Sequence, residues 1–379
     1  ALNGGALNVV GDLEVENAEF TGNSASETGG AIFNVGTDIY IKNSTFKNNI
    51  AKSEVNNGED EKVEPGRIAG AGGAIFAYGD DYYGIYNTED NENPDTNKEN
   101  KFVIENSTFE NNISGDDGGG AIATSISSEI KDSAFKNNQT SGSGGALATN
   151  TGTISTTQKY GINTFFDTPP VLNLSVQTLN NSSFENNSAF DKGGAIYANN
   201  SGLVLTDTDF INNSANTGGA IYAGWTGELK DLVPVFEDLD LHAGVHVTAL
   251  NKDVKFNGNQ AENGADIYLE NNILYLNSNE GKKITFEGGI TGKNSIININ
   301  DKTKNLYEDL SSTGQIVIDN FVMPEKESAL PVNLKGGTLK LTQEKYLDGT
   351  DLTLEEGSIL DLTNNKTGTM SLNLSLIHI

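Results

Sequence analysis

The sequence predicts an all-β fold, a right-handed parallel β-helix (β-solenoid) with loop insertions, and three observations support this prediction. Two short motifs alternate along the chain at a regular interval. Short strand-like runs lie between them, separated by Asn, Ser, Gly and Asp, which are typical turn residues. Stretches with the 3.6-residue period of a helix are nearly missing. Together these features indicate stacked coils that share one core.

The first motif is a Gly-Gly-Ala-(Ile/Leu) tetrapeptide, which begins at Gly4 and recurs six more times, with a worn copy at 263–267. The spacing is 25 residues from Gly4 to Gly29, and again from Gly119 to Gly144, which suits one coil. We expect the glycines to permit a tight bend with positive φ, and Ala and Ile to start the next strand. The motif residues after the first copy are Gly29, Gly30, Ala31, Ile32, Gly72, Gly73, Ala74, Ile75, Gly119, Gly120, Ala121, Ile122, Gly144, Gly145, Ala146, Leu147, Gly193, Gly194, Ala195, Ile196, Gly218, Gly219, Ala220 and Ile221.

The second motif is a Phe-x-x-Asn tetrapeptide that alternates strictly with the first. We predict that each Phe points inward and stacks on the Phe of the neighbouring coils, with the Asn in a turn. Identical Asn side chains repeated along an axis can hydrogen-bond as a ladder. A structural role is the main interpretation, and the sequence alone does not separate it from an adhesive role of the motifs. The residues are Phe20, Asn23, Phe46, Asn49, Phe109, Asn112, Phe135, Asn138, Phe184, Asn187, Phe210, Asn213, Phe256 and Asn259.

Three intervals between the motifs are longer than the rest by about one coil, and composition separates them. Residues 80–101 are acidic and rich in turn residues, which predicts an exposed loop. Residues 151–180 and 226–250 contain enough Val and Leu to form a coil, although a loop stays an alternative. A fourth, charged insertion covers roughly 51–69.

From about residue 270 the motifs disappear while strand patterning continues. Runs such as Ile296–Ile299 and Gln315–Ile318 read as strands. We therefore divide the chain into a repeat β-helix at 1–270 and a motif-less continuation at 271–373. Residues 374–379 resemble a translated sequencing-library adapter, and we interpret them as a non-native tail on a metagenomic fragment. In total, 12–15 coils would make a rod on the order of 60–70 Å long.

The charge balance excludes one class of partner. The chain has 52 acidic residues against 24 basic ones, a net charge of −28, and Arg67 is its single arginine. Such a polyanion is repelled by phosphate backbones, which excludes nucleic acid. No run of about 18 apolar residues indicates a transmembrane helix. The sequence has no cysteine, which fits export through an oxidising compartment.

Catalytic chemistry finds little support among the residues. The carboxylate pairs Asp80-Asp81 and Asp116-Asp117 are interpreted as solvated turn residues rather than calcium ligands. His242 and His246 are four residues apart, but no third metal ligand accompanies them. We predict no catalytic residue, no cofactor and no metal. Candidate partner contacts are aromatic side chains of the acidic loop, which give large contact area at low entropy cost. These are Tyr82, Tyr83 and Tyr86, whereas Trp225 is expected to pack against the β-helix.

The alternating Gly-Gly-Ala-(Ile/Leu) and Phe-x-x-Asn motifs resemble the polymorphic outer membrane protein (Pmp-like) family over roughly 1–270. Residues 330–365 resemble the family's segment between repeats and barrel. The resemblance implies a type V autotransporter, with a β-helical passenger domain and a C-terminal outer-membrane β-barrel that would be its contact with the membrane. It also implies adhesion to host cells and self-association, and a location at the bacterial outer membrane or in the secreted fraction.

We therefore predict a cell-surface adhesin, a passenger-domain fragment that attaches to a protein or glycan of a host or neighbouring cell. Two alternatives belong to other classes of protein. The β-helix also serves polysaccharide lyases and hydrolases, although Arg67 is a poor candidate for their catalytic base. A purely structural rod that spaces a distal binding tip is the other alternative.

Overall fold

The computed structural model describes residues 1–36, 38–52, 70–79, 101–149, 174–237, 242–318, 330–342 and 351–363. Their strands form four sheets in which every neighbouring pair is parallel. Strands that are adjacent in a sheet belong to successive turns of the chain, so the prediction of a parallel β-helix is confirmed.

Sheets 1 and 2 supply two faces of the coil. In spatial order, sheet 1 contains β1 (Leu7–Val10), β5 (Ile32–Val35), β9 (Ile75–Tyr78), β13 (Ile122–Thr124), β17 (Leu147–Thr149), β21 (Ile196–Asn199), β24 (Ile221–Gly224), β27 (Ile267–Glu270) and β30 (Ile290–Lys293). Sheet 2 contains β2 (Leu13–Glu16), β6 (Asp38–Lys42), β10 (Lys101–Glu105), β14 (Ser128–Lys131), β18 (Ser175–Asn180), β22 (Ser201–Thr206), β25 (Val245–Ala249), β28 (Ile273–Ser278), β31 (Ile296–Ile299), β33 (Val332–Leu334) and β35 (Leu352–Leu354).

Sheets 3 and 4 complete the coil. Sheet 3 contains β3 (Glu19–Thr21), β7 (Thr45–Lys47), β11 (Thr108–Glu110), β15 (Ala134–Lys136), β19 (Ser183–Glu185), β23 (Asp209–Ile211), β26 (Val254–Asn257), β29 (Lys283–Phe286), β32 (Gln315–Ile318), β34 (Thr338–Leu341) and β36 (Ile359–Asp361). Sheet 4 is short and contains β4 (Ser24–Ala25), β8 (Ile50–Ala51), β12 (Ile113–Ser114), β16 (Gln139–Thr140) and β20 (Ser188–Ala189).

One apolar column runs through the middle of these coils. Within the strands the burial alternates, as in Asp38–Lys42, where Ile39 and Ile41 are fully buried. Inward side chains from successive coils stack into one cluster that extends from Val15 to Leu352. No single coil encloses its own apolar face, so the stacking of neighbours supplies the core. The strands predicted after residue 270 are present, for example at Ile296–Ile299 and Gln315–Ile318.

Of the two alternatives for 151–180 and 226–250, the structure excludes an extra coil in both cases. Strand β17 pairs directly with β21, and β14 with β18, so no extra coil lies between them. Strand β22 likewise pairs directly with β25. The apolar residues of 151–180 and 226–250 therefore enter existing coils or an insertion. Sheets 2 and 3 each have eleven strands, which gives eleven described coils and an axial length of about 48 Å instead of 60–70 Å.

The sequence reading also missed a helix. Within 226–250 lies α1 (Leu229–Glu237), and a 3₁₀ turn occurs at Lys302–Lys304. Leu229, Leu232 and Val233 of α1 join an apolar cluster on the outer face of sheet 2 that includes Val204 and Ile273. The helix is short and contains Pro234, which made its helical period hard to recognise. Neither described helix is long and apolar enough to cross a membrane.

Candidate functional site

The Phe residues of the second motif form a continuous column inside the β-helix. Successive rings from Phe20 to Phe256 are stacked with centroids 4.7–5.1 Å apart and nearly parallel planes. Phe286 adds an eighth ring at 4.6 Å, although it has no Asn three residues later. All rings after Phe20 are completely buried. The rings after Phe20 therefore contribute packing energy and have no face open to a partner.

The Asn residues of the same motif form a hydrogen-bonded ladder beside the Phe column. From Asn49 to Asn213, each ladder Asn donates one side-chain N–H to the Oδ1 of the next ladder Asn at 2.9–3.0 Å. The other N–H donates to the Phe carbonyl oxygen of the preceding coil, as Asn138 does to Phe109 at 3.0 Å. Each Oδ1 also accepts a backbone N–H, as Asn187 does from Asn138. These buried amides are thus fully satisfied, which a buried polar group requires.

The ladder ends at a carboxylate that the sequence reading did not single out. The last ladder residue, Asn259, donates its side-chain N–H to Oδ1 of Asp266 at 2.9 Å. The other carboxylate oxygen of Asp266 accepts the backbone N–H groups of Gly288 at 2.7 Å and Gly289 at 3.1 Å. Burial raises the pKa of Asp266 to about 7, while these three hydrogen bonds act in the opposite direction. Asp266 belongs to the worn copy of the first motif at 263–267, and its carboxylate therefore caps the Asn ladder.

Two turn positions extend the motifs beyond what the sequence reading recognised. The residue before each ladder Asn has positive φ, as at Asn48 and Asn137, with Gly22 and Gly258 as substitutes. Positive φ is favourable only for Gly and, less so, Asn or Asp. The alternation of Asn with Gly at this position was a visible signal. The full motif is Phe-x-(Asn/Gly)-Asn.

A second turn, three residues before the motif Phe in the first six coils, also has positive φ and is followed by a hydroxyl ladder. Its residues are Asn or Asp, with φ of 49° at Asn43 and 51° at Asp132. The next residue is usually Ser or Thr, whose hydroxyl accepts a backbone N–H from the preceding coil, as Ser107 does from Ser44 at 3.1 Å. The same hydroxyl donates to the carbonyl oxygen two residues before it. This ladder joins sheets 2 and 3 at their corner.

The two glycines of the first motif have different roles. The first has positive φ, 69° at Gly119, and a Cβ there would lie 2.3 Å from the carbonyl oxygen of Ile122. The second allows close approach of coils, because a Cβ on Gly120 would lie 1.9 Å from the carbonyl oxygen of Gly145. The Ala and Ile or Leu residues that follow are fully buried in every copy from Ala31 onward. The intact motif copies are therefore interior or backbone features of the folded rod.

Three of the four insertions, by contrast, start from one shared corner, between sheets 1 and 2, whereas the one at 51–69 follows sheet 4. In the third coil β9 ends at Tyr78 and β10 begins at Lys101. In the fifth coil the gap is 150–174, and in the seventh it is 225–244. The second, fourth and sixth coils close the same corner within one to three residues, at 36–37, 125–127 and 200. The insertions therefore start from alternate coils, about 9.6 Å apart along the axis.

Several predicted residues fall outside this description. Arg67, Asp80-Asp81 and the candidate contacts Tyr82, Tyr83 and Tyr86 lie outside the described residues, as do the expected loop at 80–100 and most of the insertion at 51–69. The flanking strands β9 and β10 are described, so both ends of residues 79–100 are placed at the corner between sheets 1 and 2.

The side chains of Trp225 and His246 are buried and pack against other residues of the rod. Trp225 is 4 % exposed, packs with Val176 and Leu232, and donates its ring N–H to the Glu228 carbonyl oxygen at 3.2 Å, as expected for a packing residue. His246 is buried in β25 and stacks on Tyr275, and burial lowers its pKa to about 4.

The geometry of the described residues does not support a metal site at the histidines or at Asp116. The His242 and His246 rings lie 6.2 Å apart at an angle of 60°. Asp116 is an exposed turn residue. Across the described ranges, no group of three or more His, Asp or Glu side chains is close enough to hold a metal ion.

Fold and motif geometry define this chain as a solenoid repeat protein, a parallel β-helix with buried Asn and Phe columns. The family model for the Chlamydia polymorphic membrane protein repeat matches residues 17–35, 43–78, 106–125, 181–199 and 207–224. The chain therefore contains five segments of this repeat, which is characteristic of the polymorphic membrane protein family, whose members are outer-membrane or surface proteins. No curated protein and no solved structure matches the chain significantly.

The matched segments coincide with structural boundaries. All five begin at the positive-φ Asn or Asp between sheets 2 and 3, as at Asn43 and Asp207. They end at or next to the last residue of a sheet 1 strand, as at Val35 and Tyr78. The family repeat therefore contains the Phe column, the Asn ladder and the glycine turn. The corner from which the three insertions leave lies just beyond each match.

Proposed function

We propose that this chain is a passenger-domain fragment of a type V autotransporter, a non-enzymatic adhesin that attaches to a host or neighbouring cell. In this proposal, the insertions between sheets 1 and 2 contact the partner, and the motifs hold the rod together. The observation that carries it is the contrast at the surface. Motif side chains such as Phe135, Asn138 and Ile122 are completely buried, whereas three insertions start from one corner.

The arrangement of the insertions supports a shared contact surface. Successive insertions start two coil steps apart. This distance is about the thickness of one packed layer of polypeptide. Segments anchored at this spacing on a rigid rod can contact one partner together, and binding residues are often found on loops held by a rigid scaffold. We propose Tyr82, Tyr83 and Tyr86 as contacts from the first of these insertions. The partner is a surface protein or glycan.

The test compares the chain with a variant that lacks one insertion. Residues 79–100 are replaced by Gly-Thr, which is the connection at 36–37 in the second coil. Beads coated with either protein are then incubated with epithelial cells, mucin and matrix proteins. We expect strong loss of binding with an unchanged melting temperature, because the corner closes without an insertion in neighbouring coils. The triple variant Tyr82→Ala, Tyr83→Ala, Tyr86→Ala should lose most of the same binding.

A matched control changes the uncovered sheet 3 instead. Lys136 and Glu185 form an ion pair across this sheet at 3.5 Å and are both partly exposed. The double variant Lys136→Gln, Glu185→Gln should bind as the unchanged chain does. Equal binding by the insertion variant would assign adhesion to another surface. Absence of binding by the unchanged chain would favour a spacer rod, and depolymerisation of pectin or alginate would favour an enzyme.

A further inference from the structure

One corner of the rod displays a column of asparagines in the sequence context that asparagine-linked glycosylation requires, Asn-x-Ser/Thr. Asn43, Asn106 and Asn181 occupy the positive-φ turn between sheets 2 and 3 in the second, third and fifth coils. All three asparagines are exposed. The hydroxyl residues two positions later are Thr45, Thr108 and Ser183.

The turn itself explains only part of this pattern. Positive φ explains the Asn, and the hydroxyl ladder explains the Ser that follows it. Neither explains a hydroxyl two positions after the Asn, since that residue lies on the outer face of sheet 3. Where Asp replaces Asn in the same turn, at Asp132 and Asp207, the corresponding residues are Ala134 and Asp209. The first coil departs from this pattern, because Asn17 occupies the same turn and Glu19 stands two residues later. In these six coils, the hydroxyl follows three of the four asparagines and neither aspartate.

We propose that Asn43, Asn106 and Asn181 are acceptors for an asparagine-linked sugar. In this reaction the side-chain nitrogen attacks the anomeric carbon of a sugar nucleoside diphosphate. The bond from that carbon to the phosphate oxygen breaks, the nucleoside diphosphate leaves with the electron pair, and the amide proton passes to a base of the transferase. Asn106 donates one side-chain N–H to Asn43 Oδ1 at 2.8 Å, and its amide nitrogen carries a second. Sugars here would form a row along one corner, on the far side of sheet 2 from the insertions.

The chain also contains the matched control sites. Asn112-Ile113-Ser114 and Asn138-Gln139-Thr140 have the same sequence context, but their asparagines are buried in the ladder. The folded full chain and urea-unfolded chain returned to low denaturant are incubated with a soluble bacterial asparagine glucosyltransferase and UDP-glucose. Peptide mass spectrometry then locates the added hexose.

We expect hexose on Asn43, Asn106 and Asn181 of the folded chain, and on Asn112 and Asn138 only when unfolding precedes the reaction. Asn43→Asp should remove hexose at this site alone and keep the melting temperature, because Asp132 and Asp207 occupy the same turn with φ of 51° and 50°. Thr45→Ala should also remove it. Hexose on Asn112 or Asn138 of the folded chain, or none on the three turn asparagines, would overturn the proposal. So would unmodified peptides at all three sites in protein taken from the surface of its own bacterium.

Discussion

The first seven coils and the last four enclose the same kind of apolar column but are held together at their corners by different chemistry. Coils one to seven contain the Asn ladder from Asn23 to Asn259. Beyond it, a single buried asparagine joins three coils: Asn300 accepts the backbone N–H of Ser278 and donates to the carbonyl oxygens of Gly314 and Gly336. The core continues with aliphatic side chains such as Ile316.

The difference shows which part of the sequence determines which part of the structure. Strand pairing and an inward apolar face are enough to continue the β-helix, because sheets 2 and 3 pass through both regions without interruption. The ladders accompany the shortest and most uniform corners. Between sheets 2 and 3 the connection is 43–44 in the second coil but 300–314 in the ninth. The motifs are therefore devices for short, uniform corners rather than requirements for the fold.

The largest expected effect comes from removing a ring inside the repeat region. Phe135 is stacked on both sides, at 4.8 Å from Phe109 and 4.7 Å from Phe184, and is completely buried. Phe135→Ala should lower the free energy of unfolding by about 3–5 kcal/mol, because it leaves a cavity that rigid neighbours cannot fill. Urea unfolding followed by circular dichroism measures this loss.

Phe286 gives the matched comparison at the border between the regions. It has a stacked ring only on the Phe256 side, while Ile318 occupies its register position in the next strand. Phe286→Ala should therefore cost less than Phe135→Ala, since aliphatic neighbours can move into the space more easily. Equal losses, or unchanged unfolding of Phe135→Ala, would contradict a special role of the ring column in the repeat coils.

A second prediction concerns the pH dependence at the border, where Asp266 caps the ladder. Its pKa is about 7 in the folded chain, above the ordinary value of 3.8. Below the ordinary value both states hold the proton. As pH rises from about 4 to about 7, only the unfolded chain releases it, so the free energy of unfolding falls. By linkage the loss is on the order of 4 kcal/mol, and it is complete above pH 7.

The variant Asp266→Ala isolates this contribution from the many surface carboxylates. It restores the Ala found at this place in the intact copies, such as Ala220. The difference in unfolding free energy between variant and unchanged chain should change with pH between about 4 and 7 and be constant above. Unfolding midpoints in urea across this range give the measurement. A pH-independent difference would mean that the carboxylate stays ionised throughout.

The sequence predicted the fold well because the repeats report the same physical constraint many times. The alternation of the two motifs gave the coil length, and the apolar period gave the strands that continue beyond residue 270. Composition left open whether 151–180 and 226–250 form extra coils, and it did so for a physical reason. Val233 and Val245 occur in one apolar stretch, but the first packs outside sheet 2 on a short helix while the second faces the core. Composition shows that a residue is apolar, but it does not show whether the residue packs in the central column or in the cluster outside sheet 2.

The ladder cap could not be predicted for a related reason. Asp266 stands beside a Gly-Ala pair and reads as one more polar turn residue in an acidic chain. Its role depends on Asn259, seven residues earlier, and on Gly288 and Gly289 in the following coil. Contacts between coils at irregular separations leave no periodic signal. The repeat turns at Asn48 and Asn137, by contrast, were readable from the Asn and Gly alternation.

The smallest of the three effects tests the ladder itself. Asn138→Ala should lower the free energy of unfolding by about 1–3 kcal/mol, because it leaves the side-chain N–H of Asn112 and the Phe109 carbonyl oxygen buried without their partners. Its neighbour Asn137 is the control, since Gly22 and Gly258 fill the equivalent turn and Asn137→Gly should change stability by less than about 0.5 kcal/mol.

The same substitution in the motif-less region sharpens the comparison. Asn298 in the ninth coil also accepts an Asn side chain, that of Asn333 at 2.9 Å, but on the partly exposed outer face of sheet 2. Water can replace that partner, so Asn298→Ala should cost about 0.5 kcal/mol or less. Urea midpoints of the three variants, measured side by side, decide the matter. If Asn138→Ala and Asn298→Ala lose the same stability, burial inside the corner is not what gives the repeat ladder its strength.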